Sequence, residues 1–251
     1  ARFSQQRRIE AEQMLIDLLF TRDSYERFNS DTFNYNIRKL SFSTDQLEYF
    51  PTITGGDEHL IYTHRQILGT QSSDENLFEG ALGSPSESGK PLRGYLNSRL
   101  NEGASSISAD GQFMVLTVCN RQEGAGSCDL YSSHWNPEFG WEPPKPLPGG
   151  INTGRWESQP SLGPDGRSLY FVRGRNSKSN DKDIFLSIKD AEGNWSKGTK
   201  LPVNINSPAS ESCPFIHFDG VTLYFLSERS PSLGKSISNG RVQRERSPNI
   251  T

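Results

Sequence analysis

Apolar and polar positions along the chain follow one phrase, written four times. Its clearest form is ESQPSLGPDGRSLYF, Glu157 to Phe171, with copies at Glu48 to Tyr62, Glu102 to Leu116 and Glu211 to Phe225. The copies open on Glu48, Glu102, Glu157 and Glu211, a period of 54 or 55 residues. In the Glu157 copy, Pro160, Leu162 and Pro164 alternate with Gln159, Ser161 and Gly163, which predicts a short strand with one buried face. Asp165-Gly166 follows as a tight turn, because glycine accepts positive φ without a steric clash. Leu169 to Val172 is then an apolar run and predicts a buried second strand. Asp110-Gly111 and Asp219-Gly220 hold the same place in their copies, and Gly56-Asp57 reverses the order in the first.

The period reaches past this hairpin. Asp129-Leu130-Tyr131 and Asp183-Ile184-Phe185 each begin a third apolar strand, and Trp141 and Trp195 each begin a fourth segment, ending at Leu147 and Leu201. Short polar connectors precede the glutamates: Asn97-Ser98, Ile151-Asn152-Thr153 and Ile205-Asn206-Ser207. Four short strands repeated at this spacing predict an all-β fold, a β-propeller of four-stranded blades in which each blade covers the apolar face of the next. In the first unit, residues 66–95 read as a long insertion rich in Ser, Gly and Glu. Asn76-Leu77-Phe78 is its expected third strand, and as a rim loop it is a candidate contact surface. Residues 6–20, QRRIEAEQMLIDLLF, pattern as a helix. The expected organisation is a helical lead-in and linker over 1–40, propeller repeats over 41–229 and an irregular tail over 230–251. The tail carries no Trp and little alternation, so the four repeats read as an incomplete ring.

Composition agrees with this picture. The chain of 251 residues is 32% hydrophobic with 23 Gly and 15 Pro, which suits many short strands joined by turns. A net charge of −3 with no broad basic surface argues against nucleic acid as a partner. No apolar run approaches the roughly 18 residues of a membrane-spanning helix. The start at Ala1 reads either as the mark of a removed signal peptide or as an excerpt of a longer protein, and the break in pattern after Arg229 favours the excerpt.

The candidate chemistry is sparse. Glu48, Glu102, Glu157 and Glu211 open the strands expected nearest the axis. They form either a ring of carboxylates at one mouth, suited to a cation or a basic peptide, or acceptors for hydrogen bonds from the neighbouring blade. Recurrence in every unit favours the structural role, since a specific site breaks a repeat's symmetry; Asp129 and Asp183 are read the same way. Trp156 has no aromatic counterpart at Leu47, Asn101 or Ser210 and is the candidate for ligand contact. Cys119 and Cys128 flank the second turn of unit two, where hairpin ends lie about 4.5–5.5 Å apart. They form either a disulfide, contributing ~2–3 kcal/mol, or two reduced buried thiols. Cys213 reads as a small buried residue of an inner strand. His59, His64, His134 and His217 do not assemble, and the chain has no nucleophile elbow, zinc-binding helix motif or phosphate loop. The expectation is no catalytic residue, no metal, no cofactor and no enzymatic activity.

The pattern of Glu, two residues, Pro, an apolar residue, then Pro/Ala-Asp-Gly-x-x-Leu-Tyr-Phe, followed by Asp-Ile-Phe and Trp, resembles TolB-type WD-like propeller repeats over about residues 41–229. The Asn-Thr/Ser connectors and GSCDLYSS, Gly126 to Ser133, resemble a narrower group: OmpA-family, PorE-like cell-envelope proteins of type IX secretion. These place such a propeller between a helical-repeat region, to whose end helix 6–20 would correspond, and an OmpA-like peptidoglycan-binding domain. The resemblance implies a non-catalytic scaffold or binding module in the periplasm, associated with the outer membrane. Its partners would be other envelope proteins or peptides, with peptidoglycan bound only through an OmpA-like domain not found in this sequence. The competing reading is a propeller-fold glycosidase, or the gating propeller of a serine peptidase. Thiol titration of the unreduced, denatured protein should find one free thiol per chain; three would remove the bridge.

Overall fold

The computed structural model describes residues 39–56, 58–68, 72–83, 88–148, 150–229 and 245–246. The expected helix over 6–20 lies outside the described residues, as does most of the tail. Among the described residues all regular structure is β.

Each phrase folds as an antiparallel hairpin. Unit one holds β1 (Leu47–Ile53), β2 (His59–Leu68), β3 (Ser72–Ala81) and β4 (Lys90–Pro91), paired in that order. Unit two holds β5 (Glu102–Ile107), β6 (Phe113–Cys119), β7 (Cys128–Asn136), β8 (Gly140–Trp141) and β9 (Lys145–Pro146), the last two both pairing with β7. Unit three holds β10 (Trp156–Leu162), β11 (Ser168–Gly174), β12 (Asp183–Ile188) and β13 (Thr199–Lys200). Unit four holds β14 (Glu211–Ile216), β15 (Thr222–Ser227) and β16 (Glu245–Arg246). Units two and three are joined into one nine-stranded sheet through a single parallel pair, Trp156 opposite Cys128.

Three features differ from the sequence reading. The insertion of unit one is largely sheet: β2 continues to Leu68 and β3 pairs with it along ten residues, around the expected Asn76-Leu77-Phe78. The fourth strands are only two residues long. The third strand of unit four comes from the stretch read as an irregular tail, where Glu245–Arg246 pairs with Leu223 and Thr222.

The core lies between units. β6 sends Met114, Leu116 and Val118 to one face, where they meet Ile61, Leu77 and Leu96 of the unit-one side. It sends Val115 to the other, where it meets Leu169, Phe171 and Trp195 of unit three. β11 repeats the division, turning Tyr170 towards Ile216, Leu223 and Phe225 of unit four. The period-two alternation of the second strands thus becomes two buried faces per sheet. Each such large side chain contributes about 1.5–3 kcal/mol on burial. Trp141 and Trp195 close the outer edge of successive interfaces, at 2% and 7% exposure.

The polar connectors fasten one unit to the next. Asn152 Oδ1 accepts from the Leu130 N–H at 2.8 Å, and its Nδ2 donates to the Leu130 carbonyl at 2.9 Å. Asn97 does the same to Leu77 and Asn206 to Ile184. Each amide imitates a strand neighbour for the third strand of the preceding unit. The next residue, Ser98, Thr153 or Ser207, turns to the glutamate of the following unit. Asn206, the most enclosed at 3% exposure, also donates to the Leu201 carbonyl. Asn206→Ala should therefore lower the stability measured by urea unfolding by roughly 1–3 kcal/mol per buried group left unpaired. The m-value should be unchanged.

Candidate functional site

The inner strands β1, β5, β10 and β14 do not run straight. Each pairing register slips just after the repeated glutamate: between Tyr49 and Thr52, Gly103 and Ser106, Ser158 and Ser161, and Ser212 and Phe215. At each slip, two residues after the glutamate, a non-glycine residue takes positive φ: Phe50 at 51°, Ala104 at 41°, Gln159 at 56° and Cys213 at 50°. A side chain in this region costs about 1–2 kcal/mol relative to ordinary backbone. A bulge leaves donors out of the ladder and re-aims side chains. Side chains recover some of the donors: Ala104 N–H donates to Thr63 Oγ1 at 2.9 Å, and Cys213 N–H to Gln159 Oε1 at 2.8 Å. Further along, Leu162 N–H donates to Ser106 Oγ and Ile216 N–H to Ser161 Oγ, both at 3.0 Å and both across units.

The bulges of the four units share a cavity. Phe50, Ala104 and Gln159 line two cavities at once and form the waist between them. The upper cavity, 390 Å³, lies where the inner strands begin and includes Trp156, Glu75, Thr117 and the Cys119–Cys128 bridge. The lower cavity, 490 Å³, lies where they end, and all four units contribute to it. Its wall includes Ile53, Ile107, Leu162 and Ile216, the last residues of the four inner strands, with Phe215 and Phe218 exposed beside it. In the upper cavity, Glu75 lies 3.6 Å from Arg65. Burial, and then the adjoining Glu75 carboxylate, push the Tyr49 phenol well above its ordinary value.

The repeated glutamates stand apart from both cavities. Glu102, Glu157 and Glu211 are 0% exposed. Each accepts from the connector four residues before it: Glu157 from Thr153 N–H at 3.1 Å and Thr153 Oγ1 at 2.5 Å, with the same pair at Ser98 and Ser207. Glu48 takes these bonds from Thr44 and is the partly exposed member. The bonds come from the connector leading into each glutamate's own strand, whereas the neighbouring blade was the expected source. An arginine completes each of the three buried clamps. Arg173 Nε donates to Glu157 at 2.6 Å, Arg229 lies 3.3 Å from Glu211 and Arg121 3.8 Å from Glu102. Burial pushes the Glu102 and Glu157 carboxyls up, and the connector hydrogen bonds oppose it. The four carboxylates do not form an open ring; they hold the chain as it enters each inner strand.

The other predicted positions take local roles. Trp156 is 7% exposed; it lines the upper cavity and stacks under Lys182 Nζ, 5.7 Å from its ring centre. Cys119 and Cys128 are joined by a disulfide across the last pair of the β6–β7 ladder. Cys213, expected to be buried, is part-exposed at its bulge, and burial still raises its thiol. Gly111, Gly166 and Gly220 hold the turns at φ of 71°, 64° and 69°, and the aspartate before each accepts from the backbone N–H two residues on. Hydrogen bonds from Ser108 and then the Gln112 N–H hold the Asp110 carboxyl below its usual range. Asp129 accepts from Gly126 N–H, and Asp183 pairs with Lys200 Nζ at 2.7 Å. Among the described residues, no group of three or more His, Cys, Asp or Glu is placed to hold a metal ion. The bulge residues escaped the sequence reading because none is glycine, the usual sign of positive φ.

No protein-family model matches the chain, and no curated protein matches it by sequence. Solved structures do. TolB from Acinetobacter baumannii superposes with a TM-score of 0.50 at 15% identity, covering 81% of this chain and 44% of that one. The chain therefore spans less than half the length of that TolB. An α-L-arabinofuranosidase from Lactobacillus brevis superposes with a TM-score of 0.53 at 13% identity, covering 86% of this chain and 79% of that one. The fold is a TolB-like β-propeller fold, and it is shared by proteins with and without catalytic activity. Glu157→Ala should cost about 3–5 kcal/mol in equilibrium unfolding by stranding Arg173 beside an emptied acceptor site. Glu157→Gln, which keeps one acceptor oxygen for Thr153 Oγ1 and Arg173 Nε and loses the acceptor for Thr153 N–H, should cost less.

Proposed function

We propose that this chain is a non-catalytic propeller module of the bacterial cell envelope that holds or binds another envelope protein or peptide. In this reading it belongs to an OmpA-like, type IX secretion-associated protein at the periplasmic side of the outer membrane. The observation that carries the non-catalytic part is the placement of the carboxylates. Three of the recurring glutamates are enclosed in structural clamps, and among the described residues Glu75 is the one carboxylate lining the two cavities. Hydrolysis of a glycosidic bond ordinarily calls on two carboxyl groups, about 5–9.5 Å apart across the scissile bond. Glu75 sits instead beside Arg65 and the Tyr49 phenol.

The envelope assignment draws on the connector and GSCDLYSS resemblance, on the TolB likeness in fold and on the disulfide. A bridge of this kind persists in exported proteins and is rare in a reducing cytosol. Among the described residues no helix is long and apolar enough to cross a membrane. A panel of chromogenic arabinosides, xylosides and galactosides should give no release above the uncatalysed rate. Turnover that is lost in Glu75→Gln would replace this reading with a glycosidase. Fractionation of the native host should place the gene product with the outer membrane; recovery in the cytosol would end the envelope assignment.

A further inference from the structure

One position breaks the fourfold repeat at the centre of the molecule. Three residues after the repeated glutamate, units one, three and four carry Pro51, Pro160 and Pro214; unit two carries Ser105. All four positions fall within the bulges, where the pairing ladder is interrupted. Proline suits such a place because it brings no N–H to be left without a partner. Serine adds a hydroxyl instead. Ser105 is 6% exposed and is one of the residues lining the lower cavity; its Oγ is itself enclosed and has no hydrogen-bond partner. A buried polar group left unpaired is costly and uncommon.

The surroundings define what could answer it. Among the described residues, those lining the lower cavity include no Asp, Glu, Lys, Arg or His. The other wall hydroxyls are engaged: Ser106 Oγ by Leu162 N–H, Ser161 Oγ by Ile216 N–H and Thr52 Oγ1 on the Ser105 carbonyl. The rest of the wall is mainly aliphatic, proline and phenylalanine. The chamber is a mainly apolar space of 490 Å³ in which Ser105 carries the hydroxyl without a partner, beside the Gln159 amide and the Cys213 thiol.

We propose that the lower cavity binds a small, uncharged, largely apolar molecule through one hydrogen-bonding group placed against Ser105 Oγ. The volume falls within the roughly 300–1,000 Å³ of small-molecule sites. A charged ligand would lose its hydration with no opposite charge to replace it. A polypeptide main chain would bring an N–H and a C=O at nearly every residue, and three prolines leave the wall few donors to meet it. Because a serine hydroxyl both donates and accepts, the ligand's polar group is a carbonyl, a hydroxyl or an amine N–H. This site is independent of the envelope partner proposed above.

A matched pair of fluorescent probes tests the claim on the intact chain. N-phenyl-1-naphthylamine is uncharged; 8-anilino-1-naphthalenesulfonate has the same ring skeleton with a sulfonate added. The uncharged probe should bind saturably at one site, and the sulfonate should bind at least about tenfold more weakly. Ser105→Pro, which copies the other three units, should weaken the uncharged probe about fivefold without lowering the melting temperature. Ala104→Phe, which repeats the aromatic residue of Phe50 at the equivalent bulge, should fill the waist and abolish binding. Equal affinity for the two probes, or undiminished binding in Ser105→Pro, overturns the proposal. So does undiminished binding in a folded Ala104→Phe protein. If Ala104→Phe does not fold, Ser105→Pro decides alone, because the fold already uses proline at that place.

Discussion

Everything in this propeller depends on one two-residue polar connector. Asparagine reaches back and pairs with the main chain of the unit behind; the serine or threonine beside it reaches forward to the buried glutamate of the unit ahead. A buried main-chain group without a partner is expensive, and the third strands have only two-residue fourth strands as neighbours over part of their length. The asparagine amide supplies what a longer strand would have supplied. The buried carboxylate would be a liability by itself. Connector N–H, connector hydroxyl and an arginine satisfy its oxygens, so the cost of burial returns as a fixed entry angle for the inner strand.

That fixed entry places the bulge, and the bulge shapes the centre. Two residues past the clamp the chain turns through positive φ in each of the four units, although glycine is absent from all four positions. In units two, three and four, inter-unit hydrogen bonds from Ala104, Leu162, Cys213 and Ile216 support the strained strand. The frame is therefore repeated faithfully, while the side chains it presents differ: Phe50, Ala104, Gln159 and Cys213 at the bulges, and three prolines with one serine beside them. Structure resides in what recurs, and selectivity in what varies on the recurring frame.

Much of the frame was legible in the sequence, for definite reasons. The apolar run Leu169–Val172 and its counterparts in the other copies marked the second strands, and Asp165-Gly166 marked the turn, because a left-handed tight turn is written in glycine. The spacing of Cys119 and Cys128 about one hairpin turn pointed to the bridge while leaving reduced thiols open. The clean alternation expected of β10 was misleading: the bulge at Gln159 shifts the register, and both faces of that strand are buried. The arginine of each clamp was hidden because Arg121, Arg173 and Arg229 reach equivalent carboxylates from different distances along the chain. The third strand of unit four was hidden because two paired residues leave no periodic trace. Ser105 was visible as the odd member of an aligned column, but only the cavity gave that oddity a meaning.

The connector also bears on how such a chain can lengthen or shorten over generations. Each one sits at a seam, holding its predecessor with one residue and its successor with the next. A gene duplication that copies one full period, cut at any phase, reproduces a complete seam and leaves no buried amide or carboxylate orphaned at the new junction. Loss of a whole period is equally clean, whereas a partial one severs a seam. Blade number is thus the property of this architecture most open to drift, and the residues within a seam are those with least freedom to change.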